Sequence, residues 1–175
     1  MFARCNDVLY SSGLITGQVA LRGPLSSDRI TVGVGLRMGS GTRHWLEETV
    51  SGAVGVFYAG DEHDALYTSG SLYATATLSL DRLEQLAAAD ELVLDRPVLG
   101  GTGLSARPLA KAALMRIRHT FELIHAGGGD ATCETRIGQE LLCALIAHLG
   151  RAPNVRNRAG RTDAHAMIVR RARAY

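Results

Sequence analysis

The stretch Gly52-Ala-Val-Gly-Val-Phe-Tyr-Ala-Gly-Asp-Glu-His63 decides the fold that the sequence predicts. Its first half, Ala53–Tyr58, is a short apolar run between turn-forming residues, which is typical of a β-strand. Gly60-Asp61 then supplies turn chemistry, because glycine adopts left-handed backbone angles without a steric penalty. We therefore expect a strand, a tight turn to a second strand, and His63 where that turn ends.

The first half of the chain contains further segments of this kind. Apolar residues alternate with Thr and Gly between Ile30 and Leu36, and with Tyr, Thr and Ser between Leu72 and Ser79, so each segment has one apolar face. The predicted strands are Gln18–Arg22, Asp28–Arg37, Thr42–Glu48, Ala53–Tyr58 and Ser71–Leu80. Several short strands at this spacing predict a β-sandwich or a small barrel.

The second half of the chain predicts α-helices, which makes the fold class α+β. The predicted helices are Arg82–Ala89 with Asp81 as its cap, a run from Pro108 to about His125, and Glu134–Leu149. Apolar residues recur at helical spacing in the last two. Residues 127–129 are glycines, and so short a connection predicts that these two helices form an antiparallel hairpin.

Charge separates the end of the chain from its body. Seven arginines against one acid give residues 151–175 a net charge of +6, whereas the other twelve basic and sixteen acidic residues give the body −4. The segment Ala152–Arg161 has the composition of a linker, and a last helix is predicted after Thr162. The basic end is interpreted either as a surface near an anionic partner such as nucleic acid or as a solvated tail.

Composition excludes several classes of protein. With 46% hydrophobic and 21% charged residues, the 175-residue chain is typical of a globular domain with a sizeable core. Apolar runs stay well short of the roughly 20 residues that a membrane-spanning helix needs, and the N-terminus has no secretory signal. Cys5, Cys133 and Cys143 match no zinc or redox spacing, so we expect reduced thiols in a cytoplasmic protein.

The stretch 52–63 resembles the second conserved motif of cupin barrels: a glycine, five residues, a proline, one residue, a glycine, two residues and a histidine. Tyr58 stands in the proline position, and the other spacings hold. The resemblance implies a degenerate cupin-like β-barrel with His63 directed into its mouth. The first cupin motif would supply two histidines one residue apart, but only His44 matches, because Leu46 occupies the second position.

The incomplete first motif argues against a metal site. A metal ion needs three or four well-placed donors, and His44, Glu48 and His63 would be a thin set. We therefore predict no metal and no other cofactor, with the histidines at the surface or hydrogen-bonded. The sequence also has no catalytic nucleophile motif and no phosphate-binding glycine loop, so no enzymatic activity is expected.

Four residues are candidates for binding a small molecule: His44, Trp45, Tyr58 and His63. Trp45 is the only tryptophan, and it suits either the wall of a pocket or a plug in the core. Strand alternation puts His44 and Trp45 on opposite faces, and which of them faces inward stays open. His63 and Tyr58 are the steadier candidates.

The order of these parts resembles an AraC-type transcription regulator. Val54–His63, and Ser71–Leu80 with the Asp-Arg-Leu that follows, resemble the sensor domain of that family, and Ile168–Tyr175 resembles the first helix of its DNA-binding domain. The resemblance implies an effector-binding barrel at 1–80, a helical dimerisation segment at 81–150, and a basic linker with that first helix at 151–175. It also implies a homodimer that senses a small-molecule effector and binds DNA through helix-turn-helix units beyond Tyr175.

Two other functions stay open at this point. A small metal-dependent cupin enzyme, such as an isomerase or a dioxygenase, would need the ligand that Leu46 replaces. A standalone binding protein would need neither a metal nor DNA. The arginine-rich end favours the regulator, although the sequence specifies neither the effector nor whether transcription is activated or repressed.

Overall fold

The computed structural model describes residues 1–94, 99, 101–105, 107–127 and 131–153. The predicted helix after Thr162, with most of the basic linker, lies outside the described residues. In the described part, three helices, a six-stranded sheet and a four-stranded sheet form successive layers. This arrangement confirms the α+β class.

The larger sheet lies in the middle of the molecule. Its strands are β1 (Phe2–Cys5), β2 (Val8–Leu14), β4 (Ile30–Arg37), β7 (Val54–Phe57), β9 (Leu72–Leu78) and β11 (Gly103–Leu104). They lie in the order β1-β2-β9-β4-β7-β11, and every neighbouring pair is antiparallel. The first half of the chain thus supplies five of its six strands, because β11 follows the first helix.

The smaller sheet covers one face of the larger one. Its strands are β3 (Val19–Gly23), β5 (Arg43–His44), β6 (Glu47–Glu48) and β8 (His63–Tyr67), in the order β3-β8-β5-β6. A further pair, β10 (Val93–Leu94) and β12 (Gly150–Arg151), joins the chain near the first helix to the end of the last helix.

The helices cover the opposite face of the larger sheet. They are α1 (Leu80–Ala89), α2 (Lys111–His125) and α3 (Ala131–Leu149). The side chain of Ser79 caps α1 by accepting a hydrogen bond from the backbone N–H of Arg82, so Asp81 lies in the first turn and the predicted cap is wrong by two residues. Serine at this position satisfies a backbone donor that the helix leaves unpaired.

The last two helices form the predicted hairpin. Arg116 and Glu140 join them through a 2.6 Å ion pair, and the two residues lie at equal sequence distances from the connection, as antiparallel helices require. α3 approaches the sheet closely at Gly138, because a Cβ atom there would overlap the ring of Tyr10 on β2. The helices and the larger sheet share one apolar core, with Ile117 and Phe121 of α2 fully buried in it.

The central strands β4 and β9 are covered on both faces. Ile30 and Val32 of β4 are buried in the core beneath the helices, whereas Thr31 and Gly33, which alternate with them, face the smaller sheet. The predicted alternation of apolar residues with Thr and Gly is therefore present, but the face that carries Thr and Gly lies inside the protein. No helix in the described part of the chain has the length and apolar character needed to cross a bilayer.

The predicted barrel is not closed. In the described residues the two sheets have separate ladders, with β3 and β6 at the edges of the smaller sheet and β1 and β11 at the edges of the larger one. The 52–63 stretch shows why. Its turn, in which Gly60 has a φ of 75°, does not join hairpin partners but carries the chain from β7 in the larger sheet to β8 in the smaller one. The result is two facing sheets.

Two predicted strand assignments differ from the structure. The strand Thr42–Glu48 is a hairpin, since Arg43 pairs with Glu48 and His44 with Glu47, which leaves Trp45 and Leu46 as a two-residue turn. Trp45 has a φ of 53° there, in the left-handed region that such hairpin turns need. The list of predicted strands also lacks β1, β2, β10, β11 and β12, and β8 was expected only as an unbounded strand after the Gly60-Asp61 turn.

Candidate functional site

A cavity of about 210 Å³ lies between the two sheets. The larger sheet forms its floor with β2, β4, β7 and β9, and the smaller sheet forms its roof with β3, β5 and β8. Glycines at 33 and 55 are paired across β4 and β7, and a Cβ atom at 33 would be 2.8 Å from the methyl group of Thr75. Gly55 also allows the ring of Phe57 to lie over the sheet backbone, since a Cβ atom at 55 would be 2.6 Å from that ring.

Two buried histidines line the cavity and contact each other. His44 is on β5 and His63 is the first residue of β8, directly after the turn, as the sequence predicts. Nε2 of His63 lies 3.3 Å from Nδ1 of His44, within hydrogen-bond distance. The exposed fractions of the two residues are 6% and 2%, so the predicted hydrogen-bonded histidines are internal rather than on the surface.

Burial keeps both histidines uncharged. Desolvation, and to a smaller extent the neighbouring His63, lowers the pKa of His44 from 6.5 to about 4. Desolvation also lowers the pKa of His63, although the carboxylate of Asp64 opposes the shift. Both rings are therefore neutral at pH 7, and in their shared hydrogen bond one nitrogen donates while the other accepts.

The hydrogen-bonding capacity of the cavity is not fully used. Two buried side-chain atoms in the described residues have no hydrogen-bond partner, Nδ1 of His63 and Oγ1 of Thr49, and both residues line the cavity. The backbone N–H of Thr49 donates to the carbonyl of Thr42, which lies two residues before His44 on the chain. Buried polar groups are rarely left unpaired unless water or a ligand satisfies them.

Aromatic rings surround the His63 end of the cavity. The rings of Phe57 and His63 meet edge to face with centroids 4.9 Å apart, and His44 meets Tyr67 in the same way at 5.3 Å. Tyr73 of the larger sheet lies 5.4 Å from Tyr67. Edge-to-face pairs of this kind are favourable, so this part of the wall is formed by packed aromatic rings.

Trp45 reinforces this cluster from outside. Its ring stacks on Phe57 with centroids 6.3 Å apart and meets His63 edge to face at 6.2 Å. The residue is 38% exposed and does not line the cavity, and its backbone N–H donates to the carbonyl of Asp64. The open question of direction is thus answered for His44, which faces the cavity from its strand, while Trp45 lies in the turn.

Tyr58, the fourth candidate, lies apart from the other three. It follows β7, is partly buried against the apolar core, and is not part of the cavity wall. Its backbone N–H donates to the hydroxyl of Thr102. The structure therefore brings together His44, Trp45 and His63, and a role for Tyr58 in binding stays a prediction.

The sequence analysis missed most of the cavity floor. Hydroxyl pairs link its strands, Ser11 with Thr75 and Thr31 with Thr77, each at 2.8 Å. The signal was present as Thr and Gly alternating with the apolar residues of β4 and β9. It was interpreted only through the apolar face, because a polar face on an antiparallel strand is usually exposed to solvent.

The residues that could complete a metal site are directed elsewhere. Glu48, the third donor considered from the sequence, is exposed and accepts a hydrogen bond from the backbone N–H of Gly41. No group of three His, Cys, Asp or Glu side chains comes together within the described ranges. The histidine pair alone provides fewer donors than a bound metal ion needs.

Comparison with known proteins gives a distant structural likeness. No protein family model and no curated protein sequence matches the chain. Among solved structures, the chain is similar to the crystal structure of the AraC-like transcriptional activator CuxR, with a TM-score of 0.44 and 14% sequence identity. The match covers 85% of this chain and 55% of the other, so this chain spans about half the length of that protein. A likeness this distant does not by itself assign a family or a function.

Proposed function

We propose that this chain is the ligand-sensing and dimerisation part of an AraC-type transcription regulator, and that a small-molecule effector binds in the cavity between the two sheets. The observation that carries the proposal is the buried histidine pair at the cavity wall, with Nδ1 of His63 unpartnered. An interior polar atom of this kind is satisfied when a ligand enters. The order of parts along the sequence supports the regulator over a binding protein of another kind.

The larger sheet offers a physical route from the cavity to the helices. Thr75 of β9 lies on the cavity floor, and its neighbours Ala74 and Ala76 are fully buried in the core shared with the helices. A ligand that changes the spacing at the floor therefore acts on strands whose other face supports α2 and α3. If the helix hairpin has two arrangements, the ligand shifts the equilibrium between them by the difference in its binding free energy for the two.

Dimerisation is proposed to use the outer surface of the hairpin. Met115 and Leu123 on α2 are 52% and 51% exposed, and their spacing of eight residues puts them about 80° apart around the helix, within one broad apolar stripe. Exposed apolar side chains aligned in this way favour pairing of identical surfaces about a two-fold axis. The effector would then control how two DNA-binding domains meet their half-sites, and DNA binding itself is assigned to a domain outside this chain. A regulator of this kind acts in the cytoplasm.

The test is a ligand screen with a matched pair of variants. Thermal shift and Trp45 fluorescence should identify compounds that bind the wild-type chain, and His63→Phe should abolish their effect. Gln85→Phe is the control, because it places the same ring on the exposed face of α1, away from the cavity. Compounds that bind both variants equally well would locate the site outside the cavity and refute the proposal.

Elemental analysis of the same preparation distinguishes the regulator from the alternative function, a metal-dependent enzyme. The regulator proposal expects no stoichiometric metal in the purified chain. About one zinc, iron or manganese ion per chain, lost in His63→Phe and retained in Gln85→Phe, would instead support the enzyme.

A further inference from the structure

The wall of the cavity carries no formal charge among the described residues: no Asp, Glu, Lys or Arg side chain lines it. Charged residues of the smaller sheet alternate away from it. Asp64, next to His63 on β8, forms an exposed ion pair with Arg22 of β3 at 2.9 Å, and Arg43, next to His44, is exposed. The alternation of β-strand side chains thus puts histidine inside and charge outside.

A charged group placed against the two histidines, which are 6% and 2% exposed, would be buried without a counter-charge. The two histidines do not supply one, since burial holds both in the neutral form at pH 7. Moving an ionised carboxylate, phosphate or ammonium out of water without a partner is strongly unfavourable. The cavity therefore discriminates against ions of both signs.

The polar groups of the wall fit a molecule with few hydrogen-bonding groups. Four hydroxyls of the floor are already paired with each other, Ser11 with Thr75 and Thr31 with Thr77. The unpartnered buried atoms of the described wall are Oγ1 of Thr49 and Nδ1 of His63, and the latter can donate or accept according to its ligand. If Nε2–H of His63 donates to His44, Nδ1 accepts a hydrogen bond; if Nδ1–H of His44 donates to His63, Nδ1 of His63 carries the proton and donates.

The shape of the cavity favours a ring. Phe57 meets His63, Tyr67 meets His44, and Tyr73 meets Tyr67, so aromatic surfaces line the cavity near the histidine pair. The paired glycines 33 and 55 let the Thr75 methyl group and the Phe57 ring lie close over the floor. The volume of about 210 Å³ is below the ~300–1,000 Å³ typical of pockets for drug-sized molecules, so one or two rings fill it.

From these observations we infer that the cavity selects an uncharged ring compound that presents one hydrogen-bonding group to Nδ1 of His63. This inference rests on the proposed ligand-binding role of the cavity and gives the chemical class of the effector. Sugar phosphates, amino acids and organic acids should bind more weakly for the same reason.

A matched set of probes tests the inference: benzamide, which is neutral and polar, benzoate, benzylamine and toluene. Titration calorimetry at pH 7.5 should give benzamide the highest affinity, with benzoate and benzylamine about ten-fold weaker or more. In protein with ¹⁵N-labelled histidine, benzamide should shift the Nδ1 resonance of His63. His63→Phe should weaken benzamide about ten-fold, leave toluene within about two-fold, and remove the preference for benzamide.

Two outcomes overturn the inference. Benzoate or benzylamine binding as tightly as benzamide, with a shift of the His63 resonance, would show that the cavity accepts ions, and the proposed sensing role would stand. Failure of benzamide to shift that resonance would reject the neutral ring as the ligand class. The sensing role itself fails separately, if the broader screen finds no compound whose binding depends on His63.

Discussion

Acidification should destabilise the protein through His44, and replacing His44 with phenylalanine should remove that part of the pH dependence. Burial lowers the pKa of His44 from 6.5 to about 4, which corresponds to about 3 kcal/mol at about 1.36 kcal/mol per unit. Because the folded-state pKa is the lower one, the unfolded chain takes up the proton first. The stability is therefore intact above pH ~6.5 and is lost as the pH falls from there towards about 4.

Urea denaturation at pH 7.5 and 4.5 measures this effect. Between these pH values the wild type should lose about 2.5 kcal/mol of its free energy of unfolding through the protonation of His44. Other groups that titrate in this range should lower the stability of wild type and variant alike. The loss should be smaller by that amount in His44→Phe and unchanged in Gln85→Phe, which adds a ring at an exposed site. Equal pH dependence in wild type and His44→Phe would show that His44 is not held neutral by burial.

Three further predictions concern the helices and the basic end. Gly138→Ala should lower the free energy of unfolding by about 1–3 kcal/mol in urea, because its Cβ would overlap Tyr10; an unchanged midpoint would contradict the close packing of α3. The chain should be a dimer, and Met115→Glu with Leu123→Glu should make it monomeric at tens of micromolar in sedimentation; a wild-type monomer would exclude the proposed interface. This chain alone should retard DNA only weakly and lose that binding steeply with salt, and salt-resistant, sequence-selective retardation would disprove the dependence on a further domain.

Local pattern was enough to predict the central strands and the hairpin. The predicted strand Ser71–Leu80 is β9, Leu72–Leu78, because its alternation is set by the core on one face. The hairpin β1–β2 was missed even though its turn, Asn6-Asp7, has positive φ at both positions. Asn and Asp tolerate such angles, and a polar pair of this kind between short strands is a usable signal.

The site was predictable only in part, because it depends on how two sheets face each other. His63 was predicted from the glycine spacing before it, and His44 only as one of two alternatives. Phe57 and Thr49 had no signal, since their place at the cavity depends on how β7 of the larger sheet and the chain after β6 of the smaller sheet face each other. The left-handed backbone conformation of Trp45 could not be predicted either, because bulky residues rarely adopt a positive φ.

The double coverage of β4 has a consequence for mutational tolerance. In most antiparallel strands every second position faces solvent and accepts many substitutions, so tolerance along the strand has a period of two. Between Ile30 and Leu36 no such free positions exist, since six of the seven residues are buried and Gly35 lines the cavity. Saturation mutagenesis of this strand should show low tolerance at every position. The kind of substitution that is harmful should alternate: polar residues at the positions that face the core, and large residues at the positions that face the cavity.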